Sequence, residues 1–349
     1  MTSTTTPPPE YNQTGIDLYD QTGFRYRGLA LIDVHAHVTV TRPPAAEGQP
    51  TAPVESNLEP AERMLDVAQQ FGVRKIYSMC PVEDIGVLRE RFGDLLAFNG
   101  SIAKSKIDEP DAAAYARLDN FLAAGITLLK FWAAPRGRDR GLLLDAPWRI
   151  EAAKRARAAG IRVVMVHVAD PDVWFDTVYA DAAKYGTKAD QYVPLRRMLE
   201  AFPDLTWIAA HMGGDVEHPD HLEELLERYP HLHFDTSATK WQVREASPRR
   251  DAVHDLIRRH ADRFLFGSDL VTRPGLHRDH YASRYWCQRM LWESAWEGPS
   301  PIADPDYHGG TLDAPTPTLR GLNLPLDVLE RVYYRNAARL LDDTGSDAS

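Results

Sequence analysis

Histidine, lysine and aspartate stand in this sequence where apolar runs end, and these are the side chains that hold metal ions and move protons. His35 and His37 close the run Leu31-Ile-Asp-Val-His-Ala-His37 with one residue between them. Successive strand side chains point to opposite faces, so the two imidazoles share a face, about 6–7 Å apart along the backbone. So placed, they can converge on one divalent ion, whereas two buried imidazoles without a partner would be costly. Lys130 follows Ile126 and Leu128 on one face of another run. His167 ends Val163-Val-Met-Val-His167, and His211 ends Trp207-Ile-Ala-Ala-His211. Asp235 ends Leu232-His-Phe-Asp235, and Asp269 ends Phe264-Leu-Phe-Gly-Ser-Asp269. Each alone has a plain structural explanation. Lysine can snorkel to a rim, a core histidine can be hydrogen-bonded, and aspartate can cap a turn. Together they form a set of imidazoles and carboxylates whose burial a metal ion would compensate.

The elements that must carry these residues read as alternating strands and helices. Strands are expected near 30–38, 73–80, 95–102, 126–132, 161–168, 205–211, 232–236 and 264–269. Helices are expected over 60–71, 111–124, 146–159, 190–201, 219–229 and 250–261, several stopped by Gly or Pro, as at Gly160 and Pro203. Strands separated by helices argue for parallel β/α units, and a (β/α)8 TIM barrel is the simplest closure. A doubly wound open sheet is the alternative. In a barrel, catalytic residues sit at the C-terminal ends of strands, where these side chains fall. The Pro-rich linkers 39–59 and 270–318 are extended loops of the kind that carry function or form a lid. Residues 1–28 read as a disordered Thr/Pro-rich tail with a lead-in segment, 29–342 as the barrel domain, and 343–349 as a C-terminal tail.

Several short stretches make the sequence similar to the amidohydrolase superfamily of metal-dependent barrels, in its amidohydrolase-related branch, which also holds nonoxidative decarboxylases. The carriers are Asp33-Val-His-Ala-His37, Val166-His-Val-Ala-Asp-Pro171, Ala210-His-Met-Gly-Gly214, Phe266-Gly-Ser-Asp269 and the tail from Gly321 to Leu341. The resemblance implies that His35, His37, His167 and Asp269 bind a divalent metal. It implies that His211 acts beside the metal as an acid/base or carbonyl-polarising group, or holds a second ion. Lys130 matches the strand whose lysine is carbamylated in binuclear members. One ion with an unmodified Lys130 is the expectation, and a binuclear site is the alternative. Zinc suits the nitrogen-rich set, with manganese or iron as alternatives.

Such a site would lower the pKa of a bound water toward about 7. Asp269 would take the proton of that water, and His211 would polarise a carbonyl and later protonate the leaving group. Hydrolysis of an amide, lactone or ester-like bond follows. Nonoxidative decarboxylation of an aromatic acid and metal-dependent cyclodehydration use the same geometry, and a noncatalytic metal-binding barrel is the alternative of another class. Trp241, with Arg244 or Arg284 gripping a carboxylate, would suit a small aromatic or carboxylate-bearing substrate. Tyr281, Tyr285, Trp292 and Trp296, near helical spacing, read either as a packed helix on the barrel surface or as an aromatic mouth.

The formal net charge of −10 disfavours a nucleic-acid or anionic-membrane surface. The two cysteines, Cys80 and Cys287, give neither a disulfide framework nor a metal knuckle, which fits a cytoplasmic protein. A secretory signal is not expected from the first residues, which lack a basic and an apolar region. No apolar run is long enough to span a membrane. A small-molecule substrate is the expected partner, and homodimers are common in the branch that the sequence resembles.

Overall fold

Pro at the first turn starts three of the helices, 59–70, 147–158 and 219–228, where its missing N–H costs nothing. A capping box between Thr187 and Asp190 starts the helix 188–201. The computed structural model describes residues 9–42, 57–104, 108–133, 135–308 and 316–342. The start of the expected disordered tail, most of the first long loop and the C-terminal tail lie outside them.

The strands are β1 (Leu31–His37), β2 (Val73–Met79), β3 (Leu96–Ser101), β4 (Leu128–Trp132), β5 (Val163–His167), β6 (Thr206–Ala209), β7 (Leu232–Asp235), β8 (Phe264–Leu265) and β9 (Leu270–Val271). All pair in parallel in the order β8-β7-β6-β5-β4-β3-β2-β1-β9. β8 and β9 are two halves of the eighth strand. The first half pairs with β7 and the second with β1, and the Val34 amide donates to Phe266 O at 3.0 Å across the gap. The sheet thus curls round into a (β/α)8 TIM barrel.

Two apolar layers hold it. Ile32, Val34, Leu128, Val163, Met165, Ile208 and Leu265 fill the inside, with Ala337 and Leu341 of the C-terminal segment packed in the same cluster. The opposite strand faces, including Phe98, Phe131, Val164, Trp207 and Phe234, pack under the surrounding helices. Fully burying each such side chain contributes about 1.5–3 kcal/mol, which explains why these positions are apolar until the strand ends.

The 270–318 stretch is largely structured. It holds a helix at 278–293 and one strand of a hairpin pairing Glu297–Pro299 with Thr318–Arg320. Residues Tyr281 to Glu293 of that helix are all buried. Tyr281, Tyr285 and Trp292 therefore belong to the core, and Trp296 packs partly buried against it. The helix packs against helices 59–70 and 239–246, and the lead-in segment adds to its cover. Phe24 stacks under the Arg289 guanidinium at 4.4 Å, and Arg289 donates to Tyr26 O at 2.8 Å. Leu18 and Phe24 are buried. Aromatic spacing alone could not foresee that cover.

Candidate metal centre

Strict alternation does not carry β1 through to its histidines. Ile32 and Val34 face the barrel interior, while Asp33 faces out, accepting from Tyr285 Oη at 3.1 Å. The pairing register with β2 shifts between Asp33 and Ala36. Past the shift Ala36 packs in the outer layer, and the rings of His35 and His37 lie 5.8 Å apart. Asp33 pins the irregularity, its Oδ1 accepting from the amides of His35 at 3.1 Å and Ser268 at 3.0 Å. Gly267 lets the eighth strand approach, since a Cβ there would lie 3.1 Å from the Cβ atoms of both His35 and Ser237.

His211 follows β6 in a strained loop. His211, Met212, Gly213 and Gly214 have φ of 58°, 51°, 71° and 73°. Left-handed backbone costs a non-glycine residue about 1–2 kcal/mol. The His211 amide recovers part of this by donating to Asp235 Oδ1 at 2.8 Å. Gly214 is required twice over, because a Cβ there would sit 1.9 Å from Ala169 O. Asp269 too is left-handed, at φ 58°. Strained backbone of this kind clusters at functional sites.

The side chains converge as follows. Nε2 of His35 and Nε2 of His37 each lie 3.2 Å from Asp269 Oδ1. One ligand atom each from His35, His211 and Asp269 lies within 4.8 Å of the others. The rings of His35 and His211 are 4.9 Å apart, and those of His167 and His211 are 4.7 Å apart. Asp235 binds Nδ1 of His35 at 2.9 Å, and Ser237 Oγ binds Nδ1 of His211 at 2.8 Å. Asp170 binds Nε2 of His167 at 2.7 Å and also accepts from Tyr179 Oη at 2.7 Å.

Burial and mutual charge set the ionisation here. Burial alone would raise Asp269 and Asp235, yet the adjoining imidazoles hold both carboxyls well below the usual carboxylate range. Burial pushes His211 well below the ordinary imidazole value, so its ring is neutral. Burial likewise brings Lys130 down to about 8, with Asp235 and Asp269 pulling the other way. Its buried Nζ has no hydrogen-bond partner, and neither do the side-chain amide atoms of Asn99.

This donor set fits a divalent cation. Imidazole nitrogens and an ionised carboxylate converge, and one ring nitrogen of both His35 and His167 is held by a carboxylate, the usual support for a metal-binding imidazole. His35, His211 and Asp269 form the tight group, with His37 beside it. His167 lies against His211 with Nε2 committed to Asp170, leaving Nδ1 for an ion.

Beside the centre lies a cavity of about 450 Å³ lined by Trp174, Lys240, Trp241, Asp269, His280 and Arg284 among others. Trp241 stands edge-on to His211, 5.3 Å between centroids. Arg244 is placed otherwise than expected. It is buried outside the cavity lining and donates to Asp304 at 2.6 Å, a partner that lies sixty residues along the chain. The sequence places Asp235 among the strand-end carboxylates without giving it a partner, and does not single out Ser237, Asp170 or Asn99. The available signals were Ser237 two residues after Asp235 and Asp170 three after His167.

The amidohydrolase family model matches residues 32–342. The chain belongs to the amidohydrolase family. No curated relative matches it. Among solved structures it is similar to a 5-carboxyvanillate decarboxylase from Novosphingobium aromaticivorans, complexed with manganese and 4-hydroxy-3-methoxy-5-nitrobenzoic acid. The identity is 13%, over 90% of this chain and 96% of that one, with a TM-score of 0.51. A probable 2-pyrone-4,6-dicarboxylic acid hydrolase from Acinetobacter baumannii with citric acid bound is 13% identical over 89% and 99%, TM-score 0.51. A lactonase from Listeria monocytogenes is 13% identical over 90% and 95%, TM-score 0.51. At these identities the likeness is one of fold, and it agrees with the barrel of this amidohydrolase. Among the described residues no helix is long and apolar enough to cross a membrane.

Proposed function

We propose that this amidohydrolase is a metal-dependent hydrolase of a C–N or C–O bond in a small carboxylate-bearing substrate. The observation that carries the reading is the convergence of His35 Nε2 and His37 Nε2 on one Asp269 oxygen, 3.2 Å from each. His35, His37, His167 and Asp269 would hold one divalent ion, zinc by donor chemistry, with manganese as in the decarboxylase structure the alternative. When bound, the ion supplies Lewis-acid polarisation and lowers the pKa of water.

The protein's own groups supply the rest. Asp269, already ionised, accepts a proton from the attacking water. The neutral His211 ring, its Nδ1 accepting from Ser237 Oγ, donates through Nε2 to a substrate carbonyl oxygen, and the proton that Asp269 took from the water is the one passed on to the leaving group. Lys130 stays unmodified and positions an anionic group of the substrate. Trp174 and Trp241, 5.4 Å apart and edge-to-face, wall the cavity and suit a flat ring.

Decarboxylation of an aromatic acid is the second reading, favoured by that indole wall and by the cavity cations Lys240 and Arg284. The test is turnover and metal content measured together. Protein loaded with zinc or manganese is assayed against lactones, amides and hydroxybenzoic acids, scoring ring-opened product and carbon dioxide separately. His37→Ala should lose most of the bound metal and all turnover. Full occupancy with undiminished turnover in that variant would sink the proposal, and carbon dioxide as the product would replace hydrolysis by the second reading.

A further inference from the structure

Arg284 is buried on the 278–293 helix, and its guanidinium ends at the cavity that Asp269 also lines. Arg289, on the same helix, has a fixed partner in Glu293 one turn away. Arg284 instead meets Glu10, a residue 274 positions distant, at 2.7 Å. Lys240 Nζ lies 2.7 Å from the same Glu10 oxygen, and His280 Nδ1 lies 3.7 Å from the other. These three basic side chains, from two different elements, all line the cavity. Burial alone would raise the Glu10 carboxyl, but His280, Arg284 and Lys240 hold it well below the usual range.

Glu10 reaches them on the lead-in segment, which docks beside it on residues 277–303. Its carbonyl accepts from the Ala303 amide at 2.8 Å, the Gln13 amide donates to Pro301 O at 2.7 Å, and Tyr11 stacks on His277 at 5.5 Å. A carboxylate tethered by a surface segment thus occupies a cationic pocket opening on the candidate site. A planar guanidinium with an ammonium beside it is carboxylate-recognition chemistry.

We propose that Lys240, His280 and Arg284 form a carboxylate-binding subsite of this enzyme, and that Glu10 is a tethered competitor which an incoming substrate carboxylate must displace. The proposal rests on the carboxylate-bearing substrate proposed above. It adds which side chains take that carboxylate, and that the chain itself contests the place. A ligand whose site is free only a fraction of the time binds more weakly by that fraction. Glu10 is itself partly exposed, so its hold is moderate and salt-sensitive.

The experiment titrates full-length protein with benzene-1,3-dicarboxylate, and with its neutral diamide as control, following Trp174 and Trp241 fluorescence. Metal-free and manganese-loaded protein are run in parallel, with metal content measured separately. Glu10→Gln should tighten dicarboxylate binding about tenfold in both preparations and leave the diamide unchanged. The gain should shrink as salt is raised. In the Glu10→Gln background, Arg284→Met should weaken the dicarboxylate at least tenfold. Lys240→Gln, at a more exposed position, repeats that test should the Arg284 variant misfold. Equal tightening of dicarboxylate and diamide, no tightening, or tightening confined to the manganese-loaded protein would each overturn the proposal. Loss of metal binding with the Glu10 effect intact would instead count only against the function proposed above.

Discussion

Asp235 carries more of the centre than its place in the sequence suggests. One oxygen takes Nδ1 of His35 and the other takes the amides of His211 at 2.8 Å and Ser237 at 3.0 Å. It thereby fixes a ring and a strained loop at once. Carboxylates behind metal-binding imidazoles raise ligand basicity, and their removal lowers metal affinity about 10–100-fold. Asp235→Asn preserves the acceptor for the amides but not the anion facing His35. Its metal affinity, read by competition with a chelator, should fall within that range while the fold stays intact. Unchanged affinity would show that the carboxylate only caps the turn, as its position at the end of β7 suggests. His35, His37, His211 and Asp269 were legible because each ends an apolar run. Ser237 and Asp170 were not, because serine and aspartate after a strand are ordinary turn residues.

At the scale of elements, the loop after β6 decides where His211 points. Four consecutive positive φ values turn the chain back over the strand end, and Gly214 passes against the Ala169 carbonyl of the neighbouring loop. Tyr192 buttresses the turn from below, donating to Gly213 O at 2.9 Å. Gly214→Ala would put a Cβ where that carbonyl already is, and in a left-handed conformation besides. It should cost about 3 kcal/mol or more, seen as a lowered urea midpoint, with activity lost as His211 shifts. Gly213→Ala is the milder comparison, its Cβ meeting Phe234 Cε1 at 3.2 Å. Equal stability of the Gly214 variant and the parent would contradict the steric reading. The Ala-His-Met-Gly-Gly run is visible in the sequence, yet which glycine is indispensable depends on a residue forty-five positions earlier.

For the molecule as a whole, the barrel interior sets a pH limit. His233 shares the inward face of β7 with Asp235, and its Nδ1 has no hydrogen-bond partner. Burial, helped by Arg263, pushes its imidazole from the ordinary 6.5 down to about 3. Below about 6.5 the unfolded chain binds a proton that the folded one refuses. Stability is therefore fully present above that pH and is lost as pH falls toward 3, by up to about 1.4 kcal/mol per unit. His233→Gln should flatten the fall in urea midpoint between pH 7 and pH 5 relative to the parent. An identical pH slope in the two proteins would show that His233 contributes nothing to acid sensitivity.

The order of strands and helices, the barrel they close into, and the polar residues at the strand ends could all be read from the chain. Periodicity and capping act between neighbours in sequence, so the sequence holds that information in plain form. The pairs that make a site out of those residues could not be read so. His35 meets Asp235 across 200 positions, and Arg284 meets Glu10 across 274. Arg244, which the sequence offered for a substrate carboxylate, pairs with Asp304, and Tyr285 of the 278–293 helix stacks on Phe71 and Phe266 in the core. Each of these outcomes is a choice among partners of equal chemistry. Only the closed barrel, by bringing one carboxylate within reach and carrying the others away, makes that choice.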